Sequence, residues 1–239
     1  MRVLIVGASG GIGGAIVREL TSRNGNWVVH ATCRNDSCFA SNTSVSWHQV
    51  DICCEVQVEQ LASQVGEVDW IINTVGVLHW DNFSPEKRLK QTSTEQLMES
   101  IQTNALPTLL IAKYFEANLK RSASPRLVTI SARVGSIEDN RLGGWYSYRA
   151  SKAALNMIIK TLSIEWGRTL KHASIFAFHP GTTDTDLSKP FQANVPSGKL
   201  FTAEYVAQAL ISVLNQSCKP GEETLNGKFI AYDGSEIPW

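Results

Sequence analysis

A tyrosine and a lysine at helical spacing are the residues in this sequence best suited to acid–base chemistry. They lie in the segment GGWYSYRASKAALN at residues 143–156, where two tyrosines precede a lysine. Residues four apart share one helix face, so Tyr148 lies beside Lys152, whereas Tyr146 is six residues from the lysine and faces elsewhere. The spacing therefore selects Tyr148 and leaves Tyr146 to pack at the start of the helix or to line a pocket.

A lysine beside a tyrosine makes the phenol a stronger acid. A free tyrosine ionises near pH ~10, which is too high for efficient proton transfer at neutral pH. An ammonium group about 4 Å away stabilises the phenolate by up to about 4 kcal/mol at an effective dielectric of about 20, or roughly three pKa units. We therefore expect Tyr148 to have a lowered pKa and to exchange a proton with a carbonyl oxygen. An exposed pair on a solvated helix is the alternative interpretation.

The segment GASGGIG follows a short apolar run near residue 1 and precedes a helical pattern. Glycines at such a turn let the backbone approach a dinucleotide pyrophosphate, and the helix start offers unpaired N–H groups to the phosphates. A tight turn that binds nothing is the alternative. The glycines are spaced G-x-x-x-G-x-G, and the residues expected at the cofactor are Gly7, Ser9, Gly10, Gly11, Ile12 and Gly13.

The end of the second predicted strand reads ATCRND and bears on the choice of cofactor. An acidic residue there would hold the adenosine 2′-hydroxyl of NAD, whereas an arginine accommodates the 2′-phosphate of NADP. Arg34 follows the strand end at Cys33, and Asp36 comes too late in the chain. Arginine binds phosphate through charge-assisted hydrogen bonds, so NADP is favoured over NAD. An ordinary surface arginine is the alternative.

Short apolar runs alternate with helical patterns along the whole chain. This order indicates βαβ units, and hence an α/β fold with a doubly wound (Rossmann) parallel sheet of about seven strands and helices on both faces, in three layers. No linker or repeat is visible, so residues 1–239 are expected to form one domain. The predicted strands are 2–7, 27–34, 45–52, 68–76, 126–131, 173–181 and 227–234, and the predicted helices are 11–25, 55–66, 93–120, a helix from the 143–156 segment to about 166, and 202–216.

Two further features concern single segments. Pro107 lies inside the predicted helix 93–120, where it should produce a kink, and Ser93 or Thr94 is the expected N-cap. The polar segment 182–200 is a candidate lid over a site.

Composition and charge exclude several classes of function. The chain has 22 basic and 22 acidic residues, so neither nucleic acid nor a membrane surface is an expected partner. Its five cysteines have no metal-type spacing, and no metal site is expected. Free thiols and the lack of a signal-like or transmembrane stretch favour the cytoplasm.

Five motifs together resemble the short-chain dehydrogenase/reductase family over essentially the whole chain. Within that family, the segment GSIEDNRLGGWYSYRASKAALN resembles the sniffer-type carbonyl reductases and the C-factor developmental proteins. The motifs are the glycine segment at 7–13, NTVG at 73–76, Asn104, the Tyr148–Lys152 pair, and Pro180-Gly181.

The resemblance implies an NADP(H)-dependent oxidoreductase that reduces an aldehyde, ketone or quinone to an alcohol, or catalyses the reverse. It also implies a homodimer or homotetramer. Two other functions stay open: a nucleotide-bound regulatory protein of the C-factor type with little turnover, and a binding module with no cofactor.

The resemblance also implies roles for single residues. Tyr148 would transfer the proton, Lys152 would lower its pKa and bind the nicotinamide ribose, and Asn104 would hold a water in the proton relay. The cofactor would contact Asp51, Ile52, Asn73, Gly76, Pro180, Gly181 and the threonines Thr182, Thr183 and Thr185. Three of these assignments have an alternative: Asn104 only disrupts its helix near Pro107, Asp51 only caps the next helix, and the threonines only form a turn.

One position departs from the family pattern. The family usually has a serine where TISARVGS places Ala132, and an alanine cannot hydrogen-bond a carbonyl oxygen. Ser131 or Ser136 is a candidate replacement, and either alternatively only satisfies turn backbone groups. Substrate identity is not readable, but the candidate pocket walls are mostly apolar or aromatic, which suits a hydrophobic carbonyl: Val77, His79, Trp80, Ser136, Trp145, Tyr146 and 182–200.

Overall fold

A seven-stranded parallel sheet forms the centre of the computed structural model, which describes residues 1–23, 25–35, 44–80, 83–216 and 225–239. Its strand order is β3-β2-β1-β4-β5-β6-β9, so the order reverses between β1 and β4. This arrangement confirms the predicted doubly wound α/β fold and places the switch point at the end of β1. The strands are β1 Arg2–Val6, β2 Val28–Cys33, β3 Val45–Gln49, β4 Trp70–Asn73, β5 Arg126–Ile130, β6 Ser174–His179 and β9 Phe229–Ala231.

Helices cover both faces of this sheet, because its central strands are apolar on both sides. One face packs against α1 and α6, and the other against α2, α4 and α5. In β1, Val3 to Val6 are completely buried between these two layers. The helices are α1 Gly11–Ser22, α2 Glu55–Val65, α3 Thr94–Asn104, α4 Leu106–Leu119, α5 Tyr146–Thr169 and α6 Ala203–Gln216. Among the described residues, no helix is both long and apolar enough to cross a bilayer.

The predicted helix 93–120 is two helices rather than one kinked helix. α3 ends at Asn104, and α4 begins at Leu106 with Pro107 in its first turn. Proline lacks an N–H and is tolerated in a first turn, where that donor needs no helical partner. The N-cap of α3 is Ser93, whose hydroxyl accepts a hydrogen bond from the Gln96 N–H at 3.1 Å.

The segment before α5 has an unusual backbone. Gly143, Gly144 and Trp145 have φ of 64°, 65° and 52°, and a left-handed conformation is unfavourable for a bulky tryptophan. The buried Glu86 forms hydrogen bonds with this segment through both its carboxylate and its backbone carbonyl. Its carboxylate accepts hydrogen bonds from the Ser147 N–H and hydroxyl, and its carbonyl accepts one from the Trp145 N–H. Tertiary contacts therefore fix where α5 begins.

The segment 182–200 contains local structure that the sequence did not predict. Thr182–Thr183 (β7) pairs with Leu200–Phe201 (β8) in a separate two-stranded sheet, and a 3₁₀ helix spans Lys189–Asn194. These contacts fold the segment back beside the end of β6.

Candidate active site

A cavity of about 410 Å³ opens beyond the carboxyl ends of β4, β5 and β6. This is the edge at which doubly wound sheets bind ligands. The 182–200 segment closes one side of this cavity. Ten of the residues predicted for the site line it: Ile12, Gly76, Ser131, Tyr148, Lys152, Pro180, Gly181, Thr182, Thr183 and Thr185.

Tyr148 and Lys152 both lie on α5 and both line the cavity. The Lys152 Nζ is 5.8 Å from the centroid of the Tyr148 ring and donates a hydrogen bond to the Ile130 carbonyl at 3.0 Å. Both side chains are at least nine-tenths buried. Tyr148 and Lys152 therefore lie on one face of α5, as their spacing predicted, and neither group faces bulk solvent.

The expected direction of the Tyr148 pKa is not met in the protein alone. Burial raises the pKa of the Tyr148 phenol above its usual value. Burial also lowers the pKa of the Lys152 ammonium, to about 8. The reason is that the ammonium bonds to the Ile130 carbonyl rather than to the phenol, so desolvation outweighs attraction between the two groups. The phenol is consequently protonated at neutral pH.

Asn104 is the last residue of α3, and both polar atoms of its side-chain amide form hydrogen bonds. Its Oδ1 accepts from the Val77 N–H at 2.7 Å, and its Nδ2 donates to the Val77 carbonyl and to the Ser151 hydroxyl, both at 2.9 Å. Ser151 in turn donates to the Tyr148 carbonyl. Asn104 thus holds the loop that follows β4 against α5. It is not among the residues that line the cavity.

Ala132 and its two candidate replacements, Ser131 and Ser136, differ in their position relative to the cavity. Ala132 lines the cavity and begins a 3₁₀ turn, with no polar side chain to offer. Ser136 is buried away from the cavity lining, and its hydroxyl accepts from the Asp139 N–H at 3.0 Å. Ser131 lines the cavity and donates to the Asn156 Oδ1 at 2.7 Å. Ser131 is therefore the serine that reaches the site.

The glycine loop adopts the geometry that its sequence indicates. Gly7 has φ +81°, and a Cβ at Gly13 would overlap the Gly7 carbonyl and stand 2.8 Å from the Thr74 hydroxyl. α1 starts at Gly11 after Gly10, which supplies no side-chain cap. The first N–H groups of α1 are thus left for an external acceptor. Ser9, Gly10 and Gly11 are exposed, whereas Ile12 reaches the cavity.

Arg34 lies directly after β2, beside the glycine loop. The Thr32 hydroxyl of β2 accepts a hydrogen bond from the Gly7 N–H at 3.1 Å, which joins the two strand ends. Arg34 itself is exposed, and its carbonyl accepts from Gln49. Asp36, the acidic residue weighed against it, lies outside the described residues.

Asp51 and Ile52 follow β3. The Asp51 carboxylate accepts from the Cys53 N–H at 3.0 Å, whereas the N-cap position of α2 is Cys54. Asp51 therefore stabilises a turn before the helix rather than capping the helix itself. Asp51 is exposed and Ile52 is buried in the core, so the carboxylate is the part of this pair that a ligand could contact.

The remaining predicted residues surround the cavity from β4 and β6. Asn73 is fully buried, donates to the Thr108 hydroxyl at 3.1 Å and accepts from the Val75 N–H. A Cβ at Gly76 would lie 3.2 Å from the Lys152 Nζ. Gly181 has φ +72°, and the buried Thr183 Oγ1 has no hydrogen-bond partner among the described residues.

The walls of the cavity differ in part from those expected. Trp145 lines it and packs against Phe191 of the 182–200 segment, with ring centroids 5.3 Å apart. Of the other expected wall residues, Tyr146 is exposed, and Val77, His79, Trp80 and Ser136 are not in the lining. Asn104 holds the Val77 backbone by two hydrogen bonds. Phe191 belongs to the 182–200 segment that was expected as a wall, whereas the sequence pattern did not indicate Arg133 or His179, which also line the cavity.

His179 is a further titratable residue in the cavity lining, beside Tyr148, Lys152 and Arg133. It accepts a hydrogen bond from the Arg133 N–H on Nδ1 at 3.3 Å. Burial, with a smaller contribution from the Arg133 charge, lowers the pKa of His179 to about 4. The imidazole is therefore neutral at physiological pH. Its place at the end of β6, next to Pro180-Gly181, is the one sequence signal that could have indicated it.

The geometry of this edge fits a dinucleotide. Gly7 and Gly13 of the glycine loop leave no space for a side chain, and the start of α1 lacks a side-chain cap. The Thr183 hydroxyl, which has no partner among the described residues, belongs to a residue that lines the same cavity as the Tyr148–Lys152 pair. A cofactor of this kind would be held by the glycine loop at its phosphates and by Gly76, Lys152 and Thr183 at its other end.

Comparison with known proteins agrees with this geometry. The chain is 31% identical over 242 residues to the 1-hydroxy-2-glutathionyl-2-methyl-3-butene dehydrogenase of Rhodococcus sp., with 99% of each chain covered. It is 30% identical over 175 residues to the C-signal protein of Myxococcus xanthus, which covers 73% of this chain and 94% of that protein.

Two solved structures share the fold at 22% identity. They are the carbonyl reductase Sniffer of D. melanogaster and an NADPH-bound carbonyl reductase from chicken fatty liver. Each has a TM-score of 0.83 over 100% of this chain, and 99% and 98% of the respective structures are covered. The short chain dehydrogenase family model matches residues 1–196, and the chain therefore belongs to the short-chain dehydrogenase/reductase family of oxidoreductases.

Proposed function

We propose that the protein is an NADP(H)-dependent carbonyl reductase, which reduces a hydrophobic aldehyde, ketone or quinone to an alcohol or catalyses the reverse. The observation that carries this proposal is the buried Tyr148–Lys152 pair in one cavity with the Pro180–Thr183 segment. Arg34 after β2 favours NADP over NAD, and one of the carbonyl reductases with this fold is NADPH-bound. The nicotinamide supplies the hydride for the carbonyl carbon when it is bound.

The residues of this chain supply the proton. The raised pKa keeps the Tyr148 phenol protonated at neutral pH, as a proton donor to the carbonyl oxygen requires. When the proton leaves, the Lys152 ammonium one helical turn away is the counter-charge for the phenolate. Attraction between these two charges is strong in a site shielded from water. The reverse reaction uses the same pair with the phenolate as base.

The cavity walls determine what else the site accepts. Leu78, Ile130, Val134, Trp145 and Phe191 provide an apolar and aromatic lining, which suits an uncharged hydrophobic carbonyl compound. The 182–200 segment stands where a lid would exclude water, and its opening and closing stay a prediction.

Tyr148→Phe tests the proposal. We expect the wild type to oxidise NADPH in the presence of members of an aldehyde, ketone and quinone panel, followed by the loss of nicotinamide absorbance. Loss of a general acid lowers kcat by about 10²–10⁴-fold, and Tyr148→Phe should show that loss while still binding NADPH. Tyr146→Phe is the matched control, because Tyr146 is exposed and lies outside the cavity.

A second function is favoured by Ala132 together with the similarity to the C-signal protein. In that case the protein would bind the nucleotide as a regulatory or signalling molecule and turn over little substrate. Tight NADPH binding with no turnover on any panel member would support it against the reductase. No thermal shift with either NADP or NAD would contradict both functions.

We also propose that the chain forms a homodimer or homotetramer through its long helices. Leu109 on α4 and Met157 and Ile164 on α5 are exposed apolar side chains, which an interface would cover.

A further inference from the structure

Ser131 is the buried cavity serine that adjoins the alanine found where the family places its hydroxyl. It continues β5, in which Leu127 and Thr129 face the side of the sheet that carries α4 and α5. Side chains alternate along a strand, so Ser131 faces the same side, towards the helix of Tyr148 and Lys152. Ser131 directly follows Ile130, whose carbonyl accepts the Lys152 ammonium.

Asn156 is the residue that controls this hydroxyl. It lies four residues after Lys152 and eight after Tyr148, so the three side chains form one stripe along α5. The Ser131 hydroxyl donates to the Asn156 Oδ1 at 2.7 Å, and both residues are buried. In this orientation the hydrogen of Ser131 is used within the protein and is not available to a substrate.

The other half of the Asn156 amide is unsatisfied. Its Nδ2 is buried and has no hydrogen-bond partner among the described residues. Buried N–H donors are almost always paired, and an unpaired buried carbonyl is less unusual than an unpaired N–H. A half-turn of the amide exchanges oxygen and nitrogen at nearly the same positions and needs no additional space. The Nδ2 would then donate to the Ser131 oxygen, and the Ser131 hydrogen would be released.

We propose that Asn156 is a positioning residue: its amide nitrogen donates to the Ser131 oxygen and directs the Ser131 O–H at the substrate carbonyl oxygen. Ser131 then supplies the hydrogen bond that Ala132 cannot, and acts together with the Tyr148 phenol on the same oxygen. This inference rests on the proposed reductase function for its role in catalysis. The hydrogen bond itself can be measured without turnover.

Kinetic variants test the catalytic role. Ser131→Ala and Asn156→Asp should each lower kcat by about 10²–10³-fold, with little change in the KM for NADPH. The carboxylate of N156D can only accept hydrogen bonds, so the Ser131 O–H continues to donate to it and is not available to the substrate carbonyl. Adding Ala132→Ser should restore most of the activity in both backgrounds, because it replaces the hydroxyl at the neighbouring position. Restoration by a second-site hydroxyl is not expected if Ser131 and Asn156 only stabilise the fold.

Ser163→Ala is the matched control. Ser163 is also buried on α5, and its hydroxyl donates to the Lys160 carbonyl at 2.7 Å, outside the cavity lining. If N156D does not fold, Asn156→Leu removes the same donor without burying a charge, and its kcat should fall in the same direction. Activity within about threefold of wild type in S131A would overturn the proposal.

A spectroscopic readout separates the hydrogen bond from turnover. The probe is 4-(dimethylamino)cinnamaldehyde bound to the NADP⁺-loaded protein, which has no hydride to transfer. Its absorption moves to longer wavelength when a donor polarises its carbonyl. We expect the shift in the wild type to shrink in S131A and N156D and to return with A132S.

The two readouts distinguish failure of this inference from failure of the proposed function. A wild type that shows the shift pattern but reduces no carbonyl contradicts the reductase function and leaves the hydrogen bond standing. A wild type that reduces carbonyls while S131A and N156D keep the full shift overturns the hydrogen bond alone. Absence of any shift in the wild type also overturns it.

Discussion

Arg34 has an exposed side chain directly after β2, so its charge is accessible to a ligand. The Asp51 turn lies nearby, since the Arg34 charge reaches the Cys53 thiol and partly opposes the burial that raises the pKa of Cys53 to about 11. A phosphate bound here would lie between a cation and the open start of α1. The residue is therefore suited to discriminating between the two nicotinamide cofactors.

Arg34→Ala should weaken NADPH binding selectively. Hydrogen bonds to charged groups contribute about 1.5–3 kcal/mol, so we expect a rise of roughly 10–100-fold in the KM or Kd for NADPH and little change for NADH. Titration of both cofactors by thermal shift or fluorescence measures it. Arg23→Ala is the control, because this arginine pairs with Glu19 at the far end of α1. Equal weakening of both cofactors would contradict a role at the 2′-phosphate.

The spacing of Tyr148 and Lys152 could be predicted from the sequence, whereas the sign of the tyrosine pKa could not. Helical periodicity is local and fixes which residues share a face. Burial depends on the whole fold, and here it removes both groups from water and turns the ammonium towards the Ile130 carbonyl. For the same reason the Ser131–Asn156 pair, separated by 25 residues, has no signal in the sequence.

At the scale of elements, the strand and helix order could be predicted because each central strand is apolar on both faces and stops at a glycine or a polar turn. The break between α3 and α4 could not, because a proline inside a periodic pattern is compatible with either a kink or a new helix. The start of α5 likewise depends on Glu86, which is distant in the chain.

The strand–turn–helix element β1–α1 offers a test with a pair of adjacent glycines. A Cβ at Gly13 would overlap the Gly7 carbonyl and lie 2.9 Å from the Ala8 Cα, whereas one at Gly14 would meet its nearest neighbours at 3.4 Å. Gly13→Ala should therefore destabilise the fold by about 1–3 kcal/mol, the usual range for overpacking a close contact.

Gly14→Ala should be neutral or stabilising by up to about 1 kcal/mol, since alanine is the better helix former. Urea denaturation of both variants, with the wild type as reference, gives the comparison. NADPH binding should fall with Gly13→Ala and survive in Gly14→Ala. The prediction would be wrong if the two substitutions had the same effect on stability.

At the scale of the whole molecule, three partly buried histidines link stability to pH. Burial lowers the pKa of His30, with a contribution from the His48 charge, and burial also lowers the pKa of His48. The two rings are stacked on neighbouring strands, with the His30 Nδ1 3.0 Å from the His48 Nε2. His179 has the largest shift, to about 4.

The sign follows from where the protons bind. The unfolded histidines protonate as the pH falls below about 6.5, while the folded ones do not until a lower pH. Their contribution is therefore complete above pH ~6.5 and is lost progressively down to about pH 4 for His179. The lowering of the His179 pKa from 6.5 to about 4 corresponds to a contribution of about 3 kcal/mol.

His179→Asn should reduce this loss of stability in acid. The asparagine Oδ1 can accept the Arg133 N–H that His179 accepts now, but it does not bind a proton between pH ~6.5 and ~4. Free energies of unfolding from urea titrations across that range measure the effect, and the difference between variant and wild type cancels the carboxylates that titrate in both. His172→Asn, on the exposed turn before β6, should leave the wild-type dependence unchanged. A His179→Asn protein that loses stability as steeply as the wild type would show that the His179 imidazole does not carry the dependence.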